Sequence, residues 1–343
     1  MDNVTPATFN QGVAGSNPFD ILLPTWSGEV LHAYDSYKMF EGHVTSRVIS
    51  TGVELEIPVT GKVDVKEVWG RGEAIDGGGG PTNSFKISLD DRPMAAHFEL
   101  DRIDLMVQQF EYRSEMARQC GEALAKKRDM QIAQLLVKGA EQAQSQAVLD
   151  NSGLDSNYGG TVVTDAALAT ADEAGALAVL AAIEADRVRM QELDIDPTGS
   201  VCAISPALFH QVRRLGVAES TTDLSAGAGR PMFGGVAEAG GLGSPLAQGL
   251  SISDSLTYMG TKLIASNNIP TGDITTGDAN YQVDATGVKG LIWKPEAVAS
   301  IRKMDLTVDT YRDIRRNSEL VVASMYSGGG VMRPELATAL KSS

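Results

Sequence analysis

GLIWKPEAVASIRKMDLTVDTYRDIRRNSELVVASMYSGGGVMRPE, residues 290–335, is the stretch that decides the fold. It opens with an apolar run at 290–293. Two long segments of alternating apolar and polar residues follow, at 298–308 and 320–325. Period-two alternation over such lengths predicts β-strands with one face covered. A basic segment, 312–316, joins them and so predicts a hairpin. Gly328, Gly329 and Gly330 then precede Arg333-Pro334, which reads as a turn.

Upstream, residues 108–147 run forty positions with no proline and only two glycines, Gly121 and Gly139. The run is rich in strong helix formers. A helix of that length would span about 60 Å, far beyond the usual ~10–14 residues. On a helical wheel Phe110, Ala117, Cys120, Leu124, Ile132 and Leu135 share one stripe, interrupted by Arg113 and Arg128. Met116, Ala123 and Met130 form a second, weaker stripe, which predicts packing on more than one side. The heptad is not sustained, so a coiled coil is not indicated. A second helix is expected over 171–193, with Thr170 or Asp172 as cap. A buried strand at 201–204 should lead into a helix at 207–215 with Pro206 at its start. A further strand is expected at 262–265.

Residues 47–92 read as a two-stranded arm. Val48-Ile49, Val53, Leu55, Ile57 and Val59 alternate, 63–69 continue the pattern, and a returning strand occupies 84–90. The run Gly77, Gly78, Gly79, Gly80 interrupts the arm and predicts a hinge. A hairpin by itself is marginal in water, so this arm needs a surface to lie on. A strand at 97–105 leads from it into the long helix. Before the arm, 27–46 read as a short amphipathic helix and a loop, and the first 26 residues as a polar arm.

The chain has 343 residues and a formal net charge of −15. That balance disfavours sequence-specific nucleic-acid binding, which needs clustered Lys and Arg. No apolar run approaches the ~18 residues of a membrane span, and the start lacks the pattern of a signal peptide. Cys120 and Cys202 fall inside a predicted helix and a predicted strand, which favours two buried free thiols. His32, His43, His97 and His210 are scattered, with none in metal-ligand spacing. The glycine-rich segments 224–249 and 77–80 lack the closing residues of a phosphate-binding loop. Asp90-Asp91 and the pair Asp194 and Asp196 lie in turn-like segments, where carboxylates cap. No catalytic residue, no cofactor and no metal site is expected.

Taken in order, these motifs resemble the major capsid proteins of T-seven-like short-tailed bacteriophages. The resemblance rests on Arg315-Arg316, the apolar strand 320–326, Gly328 to Gly330 and Arg333-Pro334-Glu335. Upstream it rests on SGEVLHAY (27–34), IPVTGK (57–62) and RSEMARQCGEALA (113–125), and it covers residues ~27–337 in collinear order. Residues 1–26 and 224–249 find no counterpart.

The resemblance implies an α+β chain with the Hong Kong 97 capsid fold. Residues 1–46 would be the N-terminal arm, 47–97 the extended E-loop and 98–196 the P domain with its spine helix at 108–147. Residues 197–289 would be the A domain, and 290–343 strands rejoining the P domain. It implies hexamers and pentamers of this chain in an icosahedral lattice enclosing double-stranded DNA, with portal and scaffolding proteins as partners. Assembly would take place in the host bacterial cytoplasm, with no membrane involved. Intersubunit contacts are expected at Lys62, Lys66, Trp69, Arg71 and Glu73 on the E-loop. Their expected counterparts are Glu111, Arg113, Glu115, Arg118, Arg315 and Arg316. Two other readings fit the sequence: an encapsulin-like compartment of the same fold, and a soluble α/β enzyme.

Overall fold

Four helices and fourteen strands make up the described residues of a computed structural model, namely 22–60, 82–101, 112–142, 159–222, 255–313 and 317–343. The helices, in chain order, are α1 (Leu22–Tyr37), α2 (Tyr112–Glu141), α3 (Glu173–Glu192) and α4 (Pro206–Thr222). The first strands are β1 (Thr45–Val48), β2 (Glu54–Thr60), β3 (Thr82–Ser88), β4 (Met94–Asp101), β5 (Thr161–Thr164) and β6 (Val201–Ile204). β7 (Ser255–Tyr258), β8 (Thr261–Ala265), β9 (Asp273–Ile274), β10 (Val283–Asp284) and β11 (Val288–Trp293) follow. β12 (Val298–Asp313), β13 (Ser318–Val331) and β14 (Ala337–Lys341) complete the chain.

The chain divides into two compact units. The first comprises Met1–Lys38, Asp90–Arg128 and Arg302–Ser327. Its sheet sets β13 between β12 and β4, with β13 and β4 antiparallel from Ser318 opposite Asp101 to Met325 opposite Met94. One face of each strand is apolar, as alternation requires. Leu100, Leu306, Val308, Val321, Ala323 and Met325 pack with Ala117, Cys120 and Leu124 of α2 and with Val30 and Tyr34 of α1. Gly121 is where α1 and α2 come closest. A Cβ there would lie 2.6 Å from the Val30 carbonyl oxygen and 2.8 Å from the Ala33 Cβ, so only glycine fits.

The second unit comprises Met39–Leu89, Asp129–Ile301 and Gly328–Ser343. A six-stranded sheet in the order β5-β14-β11-β6-β8-β7 lies at its centre. Strand β6 is buried on both faces, and its alternate residues enter different cores. Val201 and Ala203 pack with Ile132, Leu135, Leu136 and Trp293. Cys202 and Ile204 pack with Val179 and Ile183 of α3 and with Leu208 and Val212 of α4. The sheet is therefore covered by α2 on one face and by α3 and α4 on the other, which is why β6 reads as a continuous apolar run.

Several sequence expectations change in length. Of the expected 108–147, the described part of the long helix is Tyr112–Glu141, 30 residues and about 45 Å at 1.5 Å per residue, with 108–111 outside the described residues. Gln142 lies outside it, and 143–147 lie outside the described residues. Its end is set by Gly160, where a Cβ would lie 2.1 Å from the Gly139 carbonyl oxygen, so the returning chain occupies the next turn's place. The main stripe is buried from Ala117 to Leu135, with Phe110 outside the described residues. The second stripe is half-buried at Met116 and Met130 and exposed at Ala123. From Gln131 to Val137 every residue of the helix is buried, and so is Arg128.

α4 extends to Thr222, beyond the expected 215. Gly216 does not stop it, since one interior glycine costs only about 1 kcal/mol. β12 and β13 are likewise longer than expected, at 16 and 14 residues. Gly328, Gly329 and Gly330 are not a turn but the extended end of β13, and close packing accounts for Gly330. The Asn280 side-chain amide donates to the Gly329 carbonyl at 2.6 Å. A Cβ at Gly330 would lie 3.2 Å from the Ile87 side chain. Asp172 caps α3 by accepting from the Gly175 N–H at 2.9 Å. Pro206 opens α4, and both cysteines are buried and free.

Candidate interaction surfaces

β2 and β3 form a two-stranded antiparallel sheet from Glu54 opposite Ser88 to Thr60 opposite Thr82, and no third described strand joins it. Leu55 and Ile57 are half-buried, while Glu56 between them and Glu54 and Pro58 on either side are exposed. The root of this arm is anchored. Ile87 and Leu89 are buried, the Leu89 N–H donates to the Val53 carbonyl at 2.9 Å, and Ile87 rests against Gly330. Leu55, paired with Ile87, and Ile57 thus leave a half-buried apolar strip on this hairpin.

Lys62, Lys66, Trp69, Arg71, Glu73 and the run Gly77 to Gly80 lie outside the described residues, as do Glu111, Arg315 and Arg316. Arg113 lies in α2, but its side chain is likewise outside what is described. Glu115 and Arg118 are exposed on α2 and are brought together on the same helix, 2.6 Å apart. Arg118 also approaches Glu122 at 3.5 Å and donates to the Tyr37 hydroxyl at 2.9 Å. Hydrogen bonds from Arg118 and then Gln119 hold the Glu115 carboxyl at about 2. The i,i+3 and i,i+4 spacing of Glu115, Arg118 and Glu122 was readable from sequence. Tyr37, 81 positions away, was not.

Asp129 is a polar site that the sequence reading missed. Its buried carboxylate accepts from the Met39 N–H at 2.8 Å, the Phe40 N–H at 3.1 Å and the Asn268 side-chain amide at 3.3 Å. Burial pushes its pKa up to about 6 against those hydrogen bonds. The segment it holds presents Phe40 to Trp293, stacked at 5.3 Å, and the Trp293 indole donates to the His43 carbonyl at 2.9 Å. Asp129 is thus a structural latch. His43 is lowered by burial and then by Lys262, 3.3 Å away. Burial likewise raises the Cys202 thiol, with Asp186 adding to it. Among the described residues no group of three or more His, Cys, Asp and Glu could hold a metal. No described helix is long and apolar enough to cross a membrane.

A family model described as Gp10A-like major capsid protein matches residues 95–341. No curated protein matches the chain. Among solved structures, the capsid of cyanophage P-SCSP1u matches with a TM-score of 0.69 at 23% identity, over 100% of this chain and 99% of that one. The mature capsid of bacteriophage PhiM1 matches with a TM-score of 0.67 at 17% identity, over 89% of this chain and 87% of that one. A virus-like particle from Pyrococcus furiosus matches with a TM-score of 0.51 at 11% identity, over 93% and 99%. The α+β architecture is therefore that of the Hong Kong 97-like phage capsids.

Proposed function

Because the chain belongs to the Gp10A-like major capsid protein family, and so is a structural protein of a phage head shell and not an enzyme, we propose that it assembles as hexamers and pentamers into an icosahedral lattice around double-stranded DNA. The phage is of the T-seven-like short-tailed kind. Portal and scaffolding proteins are its assembly partners, and the host bacterial cytoplasm is where assembly takes place. The observation that carries this reading is the β2–β3 arm: a two-stranded sheet with a half-covered apolar strip, rooted by Ile87. A monomer has little use for such an arm. A neighbour's spine helix would bury it, and many modest contacts of that kind add by multivalency.

In this assignment residues 1–46 are the N-terminal arm, 47–97 the E-loop and 98–196 the P domain, with 197–289 as A domain and 290–343 rejoining the P domain. Lys62, Lys66, Arg71 and Glu73 meet Glu111, Arg113, Glu115, Arg118, Arg315 and Arg316 of neighbours, with Gly77 to Gly80 as hinge. Arg118 and Glu115 enter such a contact already paired, so each contributes little alone. Trp69 is the stronger anchor, since a buried indole contributes more than a rim charge. The net charge of −15 suits a wall that encloses DNA without gripping it.

Negative-stain microscopy of the purified chain, followed by nuclease treatment, tests the reading. Closed particles protecting DNA in a phage lysate support it. DNA-free shells that copurify with an enzyme cargo would instead identify a compartment. A monomer with turnover would refute a shell altogether. Trp69→Ala should abolish particles while the subunit still folds, and wild-type particle yield from that variant would remove Trp69 from the contact.

A further inference from the structure

Helix α3 carries apolar residues at the centre of its outward face. Its inward side, including Val179, Ile183 and Met190, is buried, with Val179 and Ile183 packed against the sheet and α4. Ala174, Leu177, Ala181 and Val188, spaced i, i+3, i+7 and i+14, fall together on the opposite side. All four are exposed, Leu177 at 44% and Val188 at 53%. A surface helix ordinarily places charged residues there.

The β7–β8 turn extends the patch. Its Met259 is 55% exposed. The turn lies beside α3 because the Tyr258 hydroxyl donates to the Glu184 carboxylate. Exposed charge on α3 is acidic, at Glu173, Glu184 and Glu192. Arg189 turns inward instead, 2.9 Å from the Asp186 carboxylate and 2.9 Å from the Glu335 carbonyl oxygen.

On the same face of the sheet, α4 has the opposite character. Its outward side shows Ala207, His210 and Arg214 exposed, with Arg213 half-buried beside them. One layer of this unit therefore presents an apolar strip with an acidic rim and a separate basic face.

We propose that the outward face of α3 in one subunit docks on the outward face of α4 in a second copy of this chain. The inference rests on the head-shell reading. The contact is heterologous, the kind that closes into a ring when its rotation permits. Leu177, Val188 and Met259 leave water in it, while Arg214, one turn from His210 on α4, approaches Glu184, which lies one turn from Ala181 on α3. An α3-to-α3 contact would set two acidic rims against each other, which electrostatic complementarity opposes. A second copy is the fitting occupant because α4 supplies the complementary charge and an assembling shell surrounds each subunit with copies of itself.

Cysteine trapping tests this on the full chain. The native thiols, Cys120 and Cys202, are buried. Wild-type protein is first checked for closed particles by negative stain. Particles of the double variant Ala181→Cys/His210→Cys, mildly oxidised, should then run as intermolecular ladders on a non-reducing gel. Neither single variant should do so. Dimers from Ala181→Cys alone would overturn the assignment of α4 as partner, as would closed particles of the double variant without ladders.

Leu177→Asp/Val188→Asp provides the second arm. Because both positions are exposed, circular dichroism and melting should stay unchanged while particle yield falls at least tenfold. Unchanged yield overturns the proposal. Wild-type protein that forms no closed particle would sink the head-shell reading, and this contact with it. Closed wild-type particles with an inert cysteine pair would refute this contact alone.

Discussion

Replacing Asp129 by Asn should change the way stability depends on pH more than it changes stability at neutrality. In the folded chain burial raises the Asp129 pKa to about 6, whereas an unfolded chain gives about 3.9. Between those values the native state binds the proton more tightly, so stability falls as pH rises and is greatest below pH ~4. The difference corresponds to roughly 3 kcal/mol, lost progressively as pH rises to about 6 and beyond. Asparagine cannot ionise and escapes that loss. However, its NH2 must replace one of the two oxygens that accept from the Met39 and Phe40 N–H groups. A buried donor left without an acceptor costs about 1–3 kcal/mol. The two effects should nearly cancel at pH 7 and leave the variant about 1–3 kcal/mol less stable at pH 4.5. Urea unfolding below the assembly concentration measures this, read by Trp293 fluorescence after Trp26→Phe and Trp69→Phe. Trp293 stacks on Phe40, the residue that Asp129 holds, so it reports the relevant segment. Parallel pH profiles for the two proteins would refute the reasoning, and so would a wild-type advantage that grows from pH 4.5 to 7.

The other predictions concern packing and access. Gly121→Ala should destabilise the first unit by about 1–3 kcal/mol, because the new methyl meets the Val30 carbonyl and the Ala33 Cβ. Calorimetry that finds the variant more stable would contradict that close approach. Leu135→Ala opens a cavity between α2 and the central sheet and should cost about 2–5 kcal/mol in chemical denaturation. Cys202 is fully buried with its thiol pushed up, so a thiol reagent at pH 8 should label it only after unfolding, as mass spectrometry of native and denatured protein would reveal.

Much of the architecture was legible in short-range pattern. Alternation at 298–308 and 320–325 gave the two long strands, and the run VCAI gave a strand buried on both faces. Asp172, one of two cap candidates with Thr170, is the residue that caps α3, accepting from the Gly175 N–H. Legibility failed where a distant partner decides the local structure. Gly328 to Gly330 carry the composition of a turn, yet they continue β13, where a side chain at Gly330 would crowd Ile87 and the Gly329 carbonyl accepts from Asn280. The long helix stops at Glu141 although its helix-forming composition continues, because Gly160 returns against Gly139. Composition is a property of neighbours in sequence, and neither stop nor turn was set by such neighbours.

The same division holds for the interaction surfaces. The carboxylate–arginine spacing of Glu115, Arg118 and Glu122 follows from the 3.6-residue turn and was available in the sequence. The latch at Asp129 was not, because its partners Met39, Phe40 and Asn268 are about 90 and 139 positions away. The apolar outward face of α3 was equally hidden. Ala, Leu and Val recur on more than one side of that helix, and periodicity cannot tell which apolar side is covered and which is bare.

The sequence by itself determined the four helices in outline, the strands at 201–204, 262–265, 290–293, 298–308 and 320–325 and the two buried thiols, because backbone propensity and residue period act over a few positions; the short strands β5, β7, β9, β10 and β14 escaped it. Only the tertiary structure decided which glycines mark close approach, where the long helix ends, which carboxylate is buried and which apolar face is left open. Those outcomes depend on what the chain brings back from far away to lie against each residue.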